Sequence, residues 1–206
     1  MIPPGPVMKM LKVLALTATL SSAGCILSLG SAEPTTQQEL QAEQGWILVD
    51  DVHHVAQEHD EDCGAAALSS VLARWGVDVP VATLREECTK PDVPGLLAGE
   101  LRDAARRRGL SAYVFEGSLA DIEHELRRGR PVVVGLVKSL GPVSATHYEV
   151  IVGLRPDAEV AAVDPAQGLV RDTLTTFAAE WAATRGVTLV VFRREETPVP
   201  AAVVIP

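Results

Sequence analysis

From Gly64 to Trp75 the apolar residues Leu68, Val71, Leu72 and Trp75 recur at three- and four-residue intervals, one stripe of a helix, with Gly76 as a stop and Asp62 as a candidate N-cap. Three more helical stretches follow. VPVATLREEC (79–88) has Pro80 suited to a first turn, LLAGELRDAARRR closes at Gly109, and SLADIEHELRRG starts on a Ser118/Asp121 capping box and closes at Gly129. LSAYVF (110–115) reads as a strand between them. From Pro131 the period changes to short β-branched runs: PVVVGLV (131–137), HYEVIVGL (147–154), EVAAVD (159–164) and, after a small helix TTFAAEWAAT, VTLVVF (187–192). Helices first and strands later predict an α+β fold, an N-terminal helical lobe packed on an antiparallel β-sheet.

Before the first helix, WILVDDVHHVAQ (46–57) reads as one or two extended segments. MKMLKVLALTATLSSAGC, starting at Met8, joins Lys9 and Lys12 to an apolar run from Leu11 to Leu20 that is well short of the ~20 residues needed to span a bilayer. It reads as an export signal. Ser22-Ala23-Gly24-Cys25 resembles the bacterial lipobox, with Ser22 where leucine is usual, so that Cys25 would carry lipid; the alternative is cleavage after Ala32. The expected organisation is an export signal over 1–24, a flexible tether over 25–44, one domain over 45–195 and a loose tail over 196–206. That places the protein on the periplasmic side of the cell envelope, anchored to a membrane through Cys25.

Composition fits one folded domain: 47% hydrophobic and 22% charged residues in 206. The formal charge of -9 argues against nucleic acid, which needs a basic face to replace phosphate counterions. Arg106–Arg108 and Arg127–Arg128 precede Gly109 and Gly129, where cations complement a helix dipole.

Chemistry enters with Cys63, which falls at the start of the first helix. A thiol reacts as thiolate, and a helix N-terminus and a neighbouring imidazolium both favour that form. His147 starts one strand and Asp164 ends the next, before a proline, so a hairpin brings them to the same end. There the carboxylate can hold the ring through Nδ1 and leave Nε2 for the sulfur. Gln57, six positions before Cys63 (63 minus 57), can aim its amide at a developing oxyanion, with the Cys63 N–H as second donor.

The series Q-x5-C-G-A-A-A-L, H-Y-E-V-I-V-G and V-D-P-A-Q-G, spread from about Val52 to Val191, resembles the papain-like bacteriocin-processing peptidases that cleave double-glycine leaders. The resemblance implies a papain-like fold, Cys63 as nucleophile, His147 as general base and acid, Asp164 as its orienting partner, Gln57 in the oxyanion hole, and a peptide or protein substrate. It implies no cofactor. Those relatives are usually fused to ABC exporters, whereas here no G-x-x-x-x-G-K-[ST] loop is present and export is expected; a stand-alone, exported enzyme with no fused ABC transporter is the closer match.

Blander readings stand beside these. Cys88 is a helix-embedded thiol that in an oxidising compartment pairs with Cys63 or stays free. His53, His54 and His59 with Asp60 and Asp62 invite a metal, but adjacent histidines on an extended segment face opposite ways and no zinc spacing is present, so no metal is expected. His124 belongs to a solvated helix face, Asp157 and Asp172 to loops, and Tyr148 to packing on the side away from His147. The rival function is an envelope-tethered binding or adaptor module that keeps the fold without turnover; acyl transfer to an amine shares the first chemical half.

Overall fold

A computed structural model describes residues 1, 31–93, 95–140, 142–194 and 203–205. In chain order its elements are β1 (Glu33–Pro34), α1 (Gln37–Ala42), β2 (Ile47–Leu48), a 3-10 turn (Asp60–Asp62), α2 (Cys63–Arg74), α3 (Val81–Cys88), α4 (Ala98–Arg107), β3 (Ser111–Glu116), α5 (Leu119–Arg127), β4 (Val132–Leu140), β5 (Val143–Arg155), β6 (Glu159–Asp164), β7 (Gly168–Thr173), α6 (Leu174–Ala182), β8 (Val187–Phe192) and β9 (Val203–Val204).

The sheet runs β1-β7-β6-β5-β4-β8-β3 with every pairing antiparallel, and β2 joins β5 and β9. Alternation along the strands sorts the core into two faces. Val133, Val150, Val163, Leu189 and Val191 meet the helical lobe through Leu68, Leu72, Leu84 and Leu101. Val132, Val134, Leu136, Ile151 and Val190 meet Ile122, Leu126, Phe177 and Trp181 of α5 and α6. The expected α+β arrangement of helices on an antiparallel sheet is therefore present, and a second helical layer, α5 and α6, covers the opposite face.

The arginine runs end helices as expected. Arg106–Arg108 precede Gly109 (φ +77°) and Arg127–Arg128 precede Gly129 (φ +69°). Arg107 and Arg108 pair with Glu87, and Arg127 with Glu123.

Three expectations are corrected. The stretch expected as tether is packed from Glu33 onward: Glu33 and Pro34 pair with Arg171 and Val170, Thr36 forms a capping box with Glu39, and Leu40 is 2% exposed. The end expected as a loose tail contributes β9, which pairs with Ile47 and Leu48. GLVRDT, with Asp172 expected in a loop, is strand β7. Cys25 and the export signal lie outside the described residues, and no described helix is long and apolar enough to cross a membrane.

Candidate active site

Cys63 is the first residue of α2, as its apolar stripe predicts, but the turn before it is held differently than expected. Asp62 makes no capping bond to α2; it is buried, accepts a hydrogen bond from the His59 N–H (3.2 Å) and pairs with Arg85 of α3 (3.1 Å). The turn is thus braced by a neighbouring helix. Gly64 explains the small residue beside the thiol. A Cβ there would lie 3.1 Å from Tyr148 Cδ2 and 3.2 Å from Leu101 Cδ1, so glycine lets the first turn of α2 rest directly on β5 and α4.

His147 and Asp164 meet through strand register. Val150 pairs with Val163, and continuing that antiparallel register puts Asp164 opposite Glu149, with His147 two residues along on the same face. The strand begins earlier than expected, at Val143, so His147 lies inside β5. His147 Nε2 donates to Asp164 Oδ1 at 2.9 Å. This reverses the expected orientation: Asp164 holds Nε2, and Nδ1 is the nitrogen left for the thiol.

Burial opposes a charged imidazole, but the hydrogen bonds to Asp164 and to Cys63, with their charges, outweigh it and lift the His147 pKa to about 10. Burial likewise pushes the Asp164 carboxyl up, and its bonds to His147, Ala166 and Gln167 more than reverse that, leaving it below its ordinary value. Asp164 Oδ1 accepts from the Ala166 N–H (2.7 Å) and Oδ2 from Gln167 Nε2 (3.0 Å). The turn that follows the acid thus holds both of its oxygens and leaves Oδ1 aimed at His147.

Gln57 belongs to the same frame. Its backbone N–H donates to the Pro165 carbonyl (3.0 Å), which His54 Nε2 also approaches at 3.2 Å. Position 57 is therefore tied to the Asp164–Pro165 turn. The Gln57 side chain is buried, and Nε2 gives one hydrogen to the His59 carbonyl (3.3 Å).

Two clefts flank His147. One of 440 Å³ is lined by Cys63, Leu96, Leu97, Gly135, Tyr148 and Val187; the other, of 250 Å³, by Gln57, Lys138, Val143, Asp164 and Gln167. Asp60, Ala145, Thr146 and His147 line both. Tyr148 packs on Gly64 and, as expected of its neighbour-alternating position, does not share the carboxylate side of His147; burial, then the nearby Cys63, push its phenol up to about 12.

The remaining candidates separate. Cys63 and Cys88 are both free thiols, so the disulfide weighed from sequence is not formed. Cys88 donates to the Glu100 carbonyl (3.6 Å), and burial raises its pKa to about 11. His53 is exposed and His54 is engaged at Pro165; Glu58, His59 and Asp62 come within 4.8 Å of one another, with the Asp62 carboxylate already held by Arg85. Sequence reasoning passed over Lys138, Glu149 and Glu180, which form a buried ion cluster next to His147: Lys138 Nζ lies 2.8 Å from Glu149 and 3.1 Å from Glu180. The available signal was a charge at 149 on the same strand face as His147.

Residues 51–196 match the Peptidase C39 family. The Lactococcin-G-processing and transport ATP-binding protein LagD of Lactococcus lactis subsp. lactis is 25% identical over 127 residues, 62% of this chain and 17% of that protein. The chain thus spans under a fifth of that relative. The peptidase domain of Streptococcus ComA, a bi-functional ABC transporter of a quorum-sensing pathway, superposes with a TM-score of 0.58 at 23% identity, covering 69% of this chain and 99% of that one. A C39-like peptidase from Bacillus anthracis gives 0.60 at 17% identity (73% and 99% covered). A double glycine motif protease of an AMS/PCAT transporter, solved with its leader peptide, gives 0.55 at 22% (72% and 99%). At these identities the superpositions speak for the fold; with the family match covering most of the chain, this papain-like cysteine peptidase belongs to the peptidase C39 family.

Proposed function

We propose that the protein hydrolyses peptide bonds through Cys63, His147, Asp164 and Gln57. The observation that carries this reading is the His147–Asp164 bond of 2.9 Å, next to a cleft that His147 shares with a thiol at a helix N-terminus. The reacting thiolate forms as the Cys63 proton passes to His147, with Asp164 on the far side of the ring and the first-turn N–H groups of α2 stabilising the two charges. The thiolate attacks the scissile carbonyl. The Cys63 N–H and the second amide hydrogen of Gln57 receive the oxyanion, each such donor being worth ~2.7 to 4 kcal/mol in the transition state. His147 Nδ1–H protonates the departing amine, and the neutral ring then takes a proton from the water that hydrolyses the thioester. Asp164 stays ionised throughout and keeps the ring turned.

The acyl part of the substrate lies over Cys63 in the larger cleft, and the leaving amine lies on the Nδ1 side of His147, facing away from Asp164. A structural neighbour described as a double glycine motif protease in complex with the leader peptide, and a relative described as Lactococcin-G-processing, make a double-glycine leader peptide the first substrate to try. We further propose export through the segment ending at Gly24 and anchoring through Cys25, on the pattern of small residues there.

The test is direct. Cys63→Ala abolishes cleavage of such a peptide, and an activated-carbonyl thiol probe labels the native protein at Cys63 but not the variant. Cleavage that persists in Cys63→Ala overturns the proposal, and a native protein that neither cleaves the peptide nor is labelled at Cys63 overturns it in favour of a binding module.

A further inference from the structure

Lys138, Glu149 and Glu180 are three charges from three elements, with side chains 3%, 4% and 11% exposed, and nothing in the proposed chemistry uses them. Burying ions is costly unless they pair, so a cluster of this kind calls for a reason. Its place supplies one. A Glu149 carboxylate oxygen, a His147 ring nitrogen and an Asp164 carboxylate oxygen all lie within 4.8 Å of one another.

The β4–β5 register explains how Lys138 reaches this spot. Lys138 pairs with Ala145, Leu136 with His147 and Val134 with Glu149. Glu149 is therefore four residues (149 minus 145) along β5 from the position opposite Lys138, about 13 Å of strand. To close a 2.8 Å ion pair over that span, the lysine stem must run along the sheet face past His147. The small side chain of Ala145 leaves it room, and Glu180 closes the cluster from α6.

Resting on the peptidase reading, we propose that Glu149 is a second carboxylate for the His147 imidazolium, a positioning residue kept ionised beside Asp164 by the Lys138–Glu180 clamp. Without the clamp, two carboxylates so close in a buried site would not both stay charged: burial and the Asp164 charge already hold the Glu149 carboxyl above its ordinary value, and Lys138 and His147 are what oppose them. The charged and titratable groups around the ring are Cys63 from α2, Asp60 from the turn before it, Lys138 from β4, Tyr148 and Glu149 from β5, Asp164 from β6 and Glu180 from α6.

The test reads the ring itself, so that it stands apart from any substrate. His147 is titrated by NMR in the full chain, its signal identified by its loss in His147→Asn. Glu149→Gln lowers the His147 pKa by about one to two pH units, as removal of a charge at this distance in a part-buried site requires. Lys138→Met lowers it too, because Glu149 then takes a proton; a lysine acting on the ring directly would raise the value when removed. Glu180→Gln, which keeps the Lys138–Glu149 pair, is the second variant should Glu149→Gln not fold, and gives a smaller fall of the same sign. On a cleaved peptide the basic limb of kcat/KM moves down with the ring, at little change in KM. An unchanged His147 pKa in the folded variants, or a rise in Lys138→Met, overturns the proposal. A peptide that is never cleaved while the ring shifts as stated sinks the peptidase reading and leaves the network standing.

Discussion

The bond between His147 and Asp164 ties the charge of each residue to the folded state, and the two contributions to stability have opposite pH dependence. His147 titrates at about 10 against an ordinary 6.5, so its contribution is complete below 6.5 and is lost as pH rises through 10. Asp164 is held below its ordinary 3.8, so its contribution is complete above that value and is lost as pH falls through the folded pKa. Both are complete from about pH 4 to 6.5. Asp164→Asn therefore loses the most stability there, ~1.5 to 3 kcal/mol for a charge-assisted bond, and the deficit narrows toward pH 10. Urea unfolding of both proteins across this range checks it; a deficit of constant size from pH 5 to 10 sinks the idea. Sequence could bring these two residues to one end of a hairpin because strand order and an Asp-Pro turn suffice for that. It could not say which ring nitrogen Asp164 holds, since that follows from the diagonal register of β5 against β6. Nor could it see Arg85 reaching Asp62 from another helix, a contact over 23 positions that replaces the expected cap.

At the scale of elements, length decided what was legible. α2, α4 and α5 carry enough turns for an apolar stripe to repeat, and the glycines that close them, Gly76, Gly109 and Gly129, agree with it. α1 has six residues with Leu40 alone buried, and β1 and β9 have two residues each, so no periodicity exists to read. Lys138 and Glu149 were opaque for another reason: a charge within an apolar strand reads as a solvent-facing position until α6 is known to cover it. Leu40 turns the correction of the supposed tether into a measurement. It is packed into the cluster that holds Trp46, Leu48 and Leu68, and the adjoining Glu43 pairs with Arg155 and Arg171. Leu40→Ala should cost ~2 to 5 kcal/mol of unfolding free energy, the range for a buried leucine. A flexible tether would lose nothing, so an unchanged denaturation midpoint would place this helix outside the cooperative unit.

For the whole molecule, the packed N-terminal segment changes what an anchor at Cys25 would do. A tether reaching to residue 44 would let the domain roam; with Glu33 already in β1, only eight positions (33 minus 25) separate anchor and fold. Fully extended they span at most ~29 Å, less than the roughly 40 Å width of a domain of this size. An anchored enzyme would then work within about one domain width of the bilayer, on substrates emerging from or lying along it. Glu33 is also the first residue after the alternative cleavage point at Ala32, so β1 could form either way and mature-chain mass is the discriminating measurement. With lipidation, Cys25→Ser moves the protein from the membrane to the soluble fraction. It leaves turnover of a soluble peptide unaltered, because the described groups that line the two clefts come from residues 57–187. A mature chain beginning at Glu33, or membrane association that survives Cys25→Ser, rules the lipid anchor out.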